Sequence, residues 1–327
     1  MPSQNAFFRE HPLRDAFEQQ LAQGWLPLEI SQLSTGTFHG QLREIQHDDV
    51  SVFFEHQNCM VHKRGIMDSP FCTVSFARST NAQVRLSEYD SQDNLLFFIP
   101  SGCEIDVQVA SDVETVYFRF NQSHFLQRAR AISPQCWEAV PEDMLVFESP
   151  LRKPLEAFAN NLYSHPLFQS GAEMADDNQA LCSSIVDRLL LALDASSVSQ
   201  QPQQDLTARR RAKARVSEAM EYIDSVLANG ICPTIVDICI ELNLSQRNLQ
   251  YSFKKILGFT PNAYLYYLRL NRVRAQLSKP DNNDVTVTKV AMYWQFWHLG
   301  RFANEYLHLF GELPSTTLLR ALKINRY

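Results

Sequence analysis

The sequence predicts an α+β chain in two parts. An N-terminal β domain, a barrel or sandwich, is followed by helices; an all-helical C-terminal domain comes after. Three observations carry this. Short runs rich in Val, Ile, Phe and Tyr fill Phe38 to Phe120. From about Asn121 the apolar period becomes helical. The charge then divides at a polar stretch, SSVSQQPQQD: residues 206–327 hold 17 Lys and Arg against 9 Asp and Glu, a net +8, and the first 205 carry −14. An acidic body with a basic tail domain implies an anionic partner for the tail, though charge alone does not choose among DNA, RNA and membrane.

The β runs are VSVFFEH, CTVSFA, NLLFFIP, EIDVQVA and TVYFRF, separated by turn formers at Asp48-Asp49, Pro100-Ser101-Gly102 and Ser111-Asp112. The segment before Phe38 reads as a helix (Leu13, Phe17, Leu21) and a connector. Beyond Asn121, Leu155, Phe158, Ala159 and Leu162 recur at helical spacing. So do Leu181, Ile185, Leu189 and Leu193, with Val186 and Leu190 widening the stripe. Such a stripe packs against its own domain or against a second copy. The Ser/Gln-rich stretch at 196–204 ends these helices.

Composition narrows the function classes. At 327 residues and 45% hydrophobic, the chain has material for two folded domains, and no apolar run reaches the ~20 residues a membrane span needs. MPSQNAFFREHPLRD lacks the parts of a signal peptide, so a cytoplasmic protein is expected. Seven cysteines, an odd number without Cys-x-x-Cys spacing, read as buried free thiols. His56 and His62 lack the His-x-His plus carboxylate spacing of metal-binding cupins, and there is no His-Glu-x-x-His or phosphate-cradling glycine loop. No catalytic residue, metal or cofactor is expected.

The C-terminal part is the most informative. In TIVDICIELNLSQRNLQYSFKKILGFTP, Ile235, Ile238, Cys239 and Leu242 form one apolar face, Asn243-Leu244-Ser245 makes a turn, and Ser245 is placed to cap a helix from Gln246 to Leu257. That helix turns Leu249, Phe253, Ile256 and Leu257 inward and leaves Gln246, Arg247, Gln250 and Tyr251 outward. Gly258 supplies the stop. Arg can bond guanine O6 and N7, and Gln adenine N6 and N7, so this face suits a major groove; plain solvation is the competing reading. A second copy follows. Val287, Val290 and Ala291 form its first face, Gln295-Phe296-Trp297 its turn, and a helix from near His298 buries Phe302, Tyr306 and Leu309. Its outward positions include Leu299, Gly300, Arg301 and Asn304, and PNAYLYYLRLNRVRAQL between the copies reads as one long helix. Arg209, Arg210, Arg211, Lys213 and Arg215 crowd the domain's first helix, along phosphates or simply solvated.

The spaced set Asp237-Ile238, Leu244-Ser245, Arg247, Leu249, Phe253-Lys254-Lys255, Gly258, Pro261, Arg269-Leu270, Phe296, Phe302, Phe310-Gly311 and Pro314 resembles the DNA-binding domain of the AraC/XylS family of bacterial regulators. The resemblance implies a transcriptional regulator, an activator, that binds promoter DNA, contacts RNA polymerase and acts as a homodimer. It assigns DNA contacts to Ser245, Gln246, Arg247, Gln250, Tyr251, His298, Leu299, Gly300, Arg301 and Asn304. Residues 1–195 would be a cupin-like β-barrel sensor with a helical dimerisation region, 196–207 a linker, and 208–327 the double helix-turn-helix domain. Phe54, His56, Cys59, His62, Phe76, Phe98 and Tyr117 are candidates to line a small-molecule effector cavity. FHGQLREIQHDDVSVFFEH and VAMYWQFWHLGRFANEYLHLFGELPS further resemble the subgroup that regulates ethanolamine-utilisation operons, which suggests a small amine or alcohol effector. Three positions depart from the family pattern: Tyr251 and Asn304 stand where Arg is usual, and Gln295 where Gly usually precedes Phe296.

Overall fold

The computed structural model describes residues 7–324, apart from 48–49, 68–69, 79–83, 87–88, 91–92, 165–177, 199–202 and 281–283. The Asp48-Asp49 turn, the side chain of Leu181 and part of the Ser/Gln-rich stretch lie outside the described residues. All five expected strands form: β4 (Val50–Gln57), β6 (Phe71–Arg78), β9 (Leu95–Ile99), β10 (Glu104–Val109) and β11 (Val113–Asn121). Gly102 (φ 79°) and Asp112 (φ 57°) make the left-handed turns on either side of β10. The segment before Phe38 is not simply a helix with a connector. Helix α1 (Ala16–Ala22), capped by Asp15, lies between strands β1 (Phe7–Leu13) and β2 (Leu28–Gln32). Added to these are β3 (Gly40–His47), β5 (Val61–Ile66), β7 (Val84–Leu86), β8 (Tyr89–Asp90), β12 (Leu145–Glu148) and β13 (Ser197–Val198).

The strands pair into two antiparallel sheets. One runs β1-β3-β4-β11-β6-β9-β12-β13 and the other β2-β5-β10-β7-β8. Among the described residues no pairing closes either sheet, so the cupin-like barrel is met as two open sheets sharing a core. The larger sheet is buried on both faces. Phe53, Phe97 and Tyr117 face the smaller sheet, while Phe54, Phe76, Phe98 and Phe118 meet helices α2 (Gln122–Ile132), α3 (Pro134–Trp137), α4 (Arg152–Ser164) and α5 (Asn178–Asp194). Leu155, Ala159 and Leu162 of α4 and Ile185, Leu189 and Leu193 of α5 are buried there, so the apolar stripes serve this chain's own core. Cys59, Cys72 and Cys103 are buried free thiols, whereas Cys136 is exposed and Cys232 and Cys239 are half-buried.

The C-terminal part is all helix: α6 (Gln203–Ala228), α7 (Ile235–Glu241), α8 (Gln246–Leu257), α9 (Pro261–Ser278), α10 (Val287–Tyr293), α11 (Leu299–Phe310) and α12 (Pro314–Ile324). It has two cores. Val216, Met220 and Ile223 of α6 pack with Ile238, Leu249, Phe253 and the first half of α9. Leu270, Val273 and Leu277 of α9 pack with Val290, Phe302, Tyr306 and Leu309. One helix therefore joins both units. Its start is set by Thr260, which accepts from the Ala263 N–H at 3.2 Å, and by Pro261 in the first turn.

Candidate nucleic-acid interface and interior cavity

The first helix pair is built by local capping. Thr234 and Asp237 form a reciprocal capping box at the start of α7. The Thr234 N–H and hydroxyl, both bonded to the Asp237 carboxylate, hold that carboxyl below its ordinary range. Asn243, at φ 50°, reverses the chain, and Ser245 accepts from the Asn248 N–H at 3.3 Å to start α8. Leu249, Phe253, Ile256 and Leu257 are buried, which leaves Gln246, Arg247, Gln250 and Tyr251 exposed, as the spacing predicts. Gly258, at φ 76°, ends the helix.

The second pair repeats the scheme with one residue more in its turn. Leu244 N–H bonds Cys239 C=O, and Phe296 N–H bonds Ala291 C=O, 52 positions on. The buried Leu249 and Phe302 are 53 apart. Gln295 occupies the left-handed position (φ 61°), which accounts for the glycine usual there and costs an ordinary side chain about 1–2 kcal/mol. The linker-helix Arg269 steadies this turn. It donates to Trp294 C=O at 2.9 and 2.6 Å and to Gln295 C=O at 2.8 Å, with its guanidinium 4.4 Å from the centre of the Phe296 ring. Trp294 is half-buried, its indole N–H on Gln276, while Trp297 is 65% exposed. His298 precedes α11 without a side-chain cap bond. Gly300, Arg301 and Asn304 are exposed, Leu299 is half-buried, and Arg301 is held by Glu305 at 2.8 Å.

Arg210 and Lys213, among the cations on α6, turn toward the N-terminal domain. Arg210 bonds the Tyr89 hydroxyl at 3.1 Å, and Lys213 lies 3.7 Å from Glu104. These contacts open onto a seam between the domains that sequence reasoning did not anticipate. His62 is fully buried between Tyr264 (3.1 Å) and Asp106 (2.8 Å). Burial raises the Asp106 carboxyl, but contact with His62, aided by Lys213 and Arg64, outweighs it and leaves Asp106 below its ordinary value. Arg64 and Arg272 share Asp224, and Arg272 also pairs with Glu29 at 2.6 Å.

Behind that seam lies a cavity of about 80 Å³ between the two sheets. Its polar lining is Gln23, Trp25, Glu55, Lys63, Thr73, Ser75, Thr115 and Tyr117. Lys63 pairs with Glu55, and Gln23 donates both to Glu55 and, at 2.6 Å, to the Tyr117 hydroxyl. Burial, then the Glu55 charge, pushes the Tyr117 phenol well above its ordinary value. Among the described residues, the Gln23 carbonyl oxygen, the Trp25 indole N–H and the Thr115 hydroxyl have no hydrogen-bond partner. Of the effector candidates named from sequence, only Tyr117 reaches this cavity. Phe54, Phe76 and Phe98 point to the helices on the opposite face, His56 is exposed, His62 lies in the seam, and Cys59 is bonded near the Gly36 loop. Along β5 the strand alternation sends Lys63 inward and His62 and Arg64 outward to the helical domain, so this sheet has the cavity on one side and the seam on the other.

The two helix stops differ in their surroundings. A Cβ on Gly258 would meet nothing within 4 Å, whereas one on Gly311 (φ 71°) would run into the Thr37 hydroxyl oxygen of the N-terminal domain. Gly258→Ala is expected to cost about 1–2 kcal/mol from backbone conformation alone. Gly311→Ala should cost clearly more, and paired urea-unfolding curves would show equal losses if Thr37 does not seat there.

Residues 238–320 match the family described as "Helix-turn-helix domain". The XylDLEGF operon transcriptional activator 1 of Pseudomonas putida is 46% identical over 77 residues, 24% of this chain and 23% of that protein. The probable thc operon regulatory protein of Rhodococcus erythropolis is 34% identical over 100 residues, 31% of this chain and 30% of that one. The chain thus spans under a third of the length of these curated relatives. Both names describe operon regulators. Among solved structures, the AraC-like transcriptional activator CuxR is 15% identical, covering 82% of this chain and 96% of that one with a TM-score of 0.41.

Proposed function

We propose, on the premise that the chain belongs with the AraC/XylS-type helix-turn-helix regulators, that it is a promoter-binding transcriptional activator controlled by a small molecule. One observation carries the DNA part. Two helices, α8 and α11, each ended by a left-handed glycine, are mounted on a single linker helix and leave faces with polar residues open to solvent. Arg247, Gln250 and Tyr251 would meet bases or phosphates of one major groove; Leu299, Gly300, Arg301 and Asn304 would meet the next, about 34 Å along one face of the duplex. Ser245, Gln246 and His298, at the helix starts, suit phosphate.

The N-terminal domain, residues 1–195, is the sensing and dimerisation part in this reading, with 196–207 as linker and 208–327 as the DNA-binding domain. The cavity between the sheets is the effector site. Its paired carboxylate and ammonium, its three unpartnered polar atoms and its size suit a compact polar solute, a small amine or alcohol among them, as the ethanolamine-type resemblance suggests. RNA polymerase and a second copy of the chain are the further partners, and the compartment is the cytoplasm.

The test begins with recovery of preferred fragments from sheared genomic DNA by the full-length protein. On such a fragment, Arg247→Ala should weaken binding by about 1–3 kcal/mol and relax one base position. Unchanged affinity and base preference in a fluorescence-anisotropy series would remove Arg247 from the interface. Failure to enrich any fragment, with and without candidate effectors, would sink the regulator reading.

A further inference from the structure

We propose that the N-terminal domain sets the separation of the two recognition helices by gripping the C-terminal ends of both. The inference rests on the DNA-binding reading above and assigns Arg85, Gln108, Gln32 and the Gly36 backbone as positioning groups. A helix ends with carbonyls that have no partner within it. At the end of α8, Arg85 of β7 donates to Lys255 C=O (2.9 Å) and Ile256 C=O (2.5 Å), and Gln108 of β10 donates to Leu257 C=O (2.8 Å). At the end of α11, Leu309 C=O accepts both the Gly36 N–H (3.1 Å) and the Gln32 amide (2.9 Å). The donors are not independent. They sit on β7, β10 and β2 with its following loop, strands joined through β5 into one sheet.

The same sheet also holds the helix between the two units. Asn271, near the middle of α9, accepts from Gln32 N–H at 2.8 Å and donates to Gln32 C=O at 2.9 Å. Gln32 therefore touches the linker helix with its backbone and the second recognition helix with its side chain. The next residue, Leu33, is buried in the core of the first unit. Without this frame the two units, each with its own core, are joined by α9 and by the contacts of Trp294 and Gln295 with the first unit, and a small bend or roll of that helix would move one recognition face relative to the other. The grip leaves the reading faces open: Arg247, Gln250, Arg301 and Asn304 remain exposed. It positions the helices without covering them.

The test uses the full-length chain and the double variant Arg85→Ala/Gln108→Ala, which releases the α8 end. Spin labels carried on unnatural amino acids at Asn248 and His308, exposed positions on the two helices, report their separation without DNA. The wild type should give one narrow distance distribution and the variant a broader or shifted one. On a fragment recovered by the wild type, adding or removing one base pair between the two contacted segments should weaken wild-type binding by roughly tenfold, and the variant should lose most of that discrimination. An unchanged distribution together with unchanged spacing discrimination, in a variant that melts like the wild type, overturns the proposal. Should the double variant fail to fold, Gln108→Ala alone is measured against the same two outcomes. If the wild type recovers no fragment, the DNA-binding reading has failed, and the distance measurement alone decides the grip.

Discussion

Arg274→Ala is expected to lower the stability of the full-length protein by about 3–5 kcal/mol, the loss typical of breaking a buried ion pair from one side. Arg274 projects from α9 and is almost wholly buried. It lies 3.3 Å from Asp15, the cap of α1 in the N-terminal domain, and 3.0 Å from Glu312. Its guanidinium also sits 4.7 Å from the centre of the Phe310 ring. Burial works against the charge of Arg274, but Tyr306, Asp15 and Glu312 outweigh it and hold the guanidinium above its ordinary value. Glu312 answers in kind. Burial would raise its carboxyl, yet Thr317, Arg320 and Arg274 hold it below the usual range. A carboxylate depressed in the folded state adds stability above its unfolded value of about 4.3 and loses it as pH falls through the lower folded value. The Arg274→Ala penalty should therefore shrink in acid. Urea midpoints at pH 7 and below pH 4 test this, and a penalty independent of pH would show that the carboxylates are not its source. Because Asp15 belongs to the other domain, the variant should also unfold in two steps where the wild type unfolds in one.

The second large effect is expected inside the cavity. Glu55→Ala should cost about 3–5 kcal/mol, because it leaves the Lys63 ammonium buried without its counter-charge. Glu55 is fully buried, and Lys63 is 7% exposed. The double replacement Glu55→Met/Lys63→Met should recover most of the loss, since two apolar side chains of similar length remove both desolvation penalties together. The thermal melt of the double variant decides the matter. If it falls as far as Glu55→Ala, packing rather than charge explains the single variant. The same pair of variants serves the effector reading, for a solute that raises the wild-type melting temperature through this site should leave the double variant unmoved.

The helix-turn-helix units were legible in the sequence because their determinants are local. Ser245 caps where the spacing asks for a cap, Gly258 ends its helix, and the period of the apolar residues separates buried from exposed positions. The effector candidates were not legible for a physical reason. A strand such as β4 is buried on both faces, so alternation tells that Phe53 and Phe54 part company but not which of them faces the cavity. Parity placed Phe54, Phe76 and Phe98 together, on the helix side. The seam was hidden for another reason. Arg274, His62 and Arg85 are charged or polar residues whose burial depends on partners far along the chain, and no local pattern marks them. The conformational demand at Gln295 was visible only as a departure from the family's glycine, and its φ of 61° supplies the cause.

The seam also sets an order of events during synthesis. Leu33 and Met60 belong to the N-terminal part, yet both pack against a core built from α6 to α9, and Gln32 waits for Asn271, 239 positions later. At about 5–20 residues per second, a ribosome takes roughly 10–50 seconds to make the intervening stretch. Through that interval the first domain carries an uncovered apolar loop and an unsatisfied polar sheet face. A nascent chain halted before α9 would keep them uncovered, a surface that chaperones bind and on which incomplete chains aggregate.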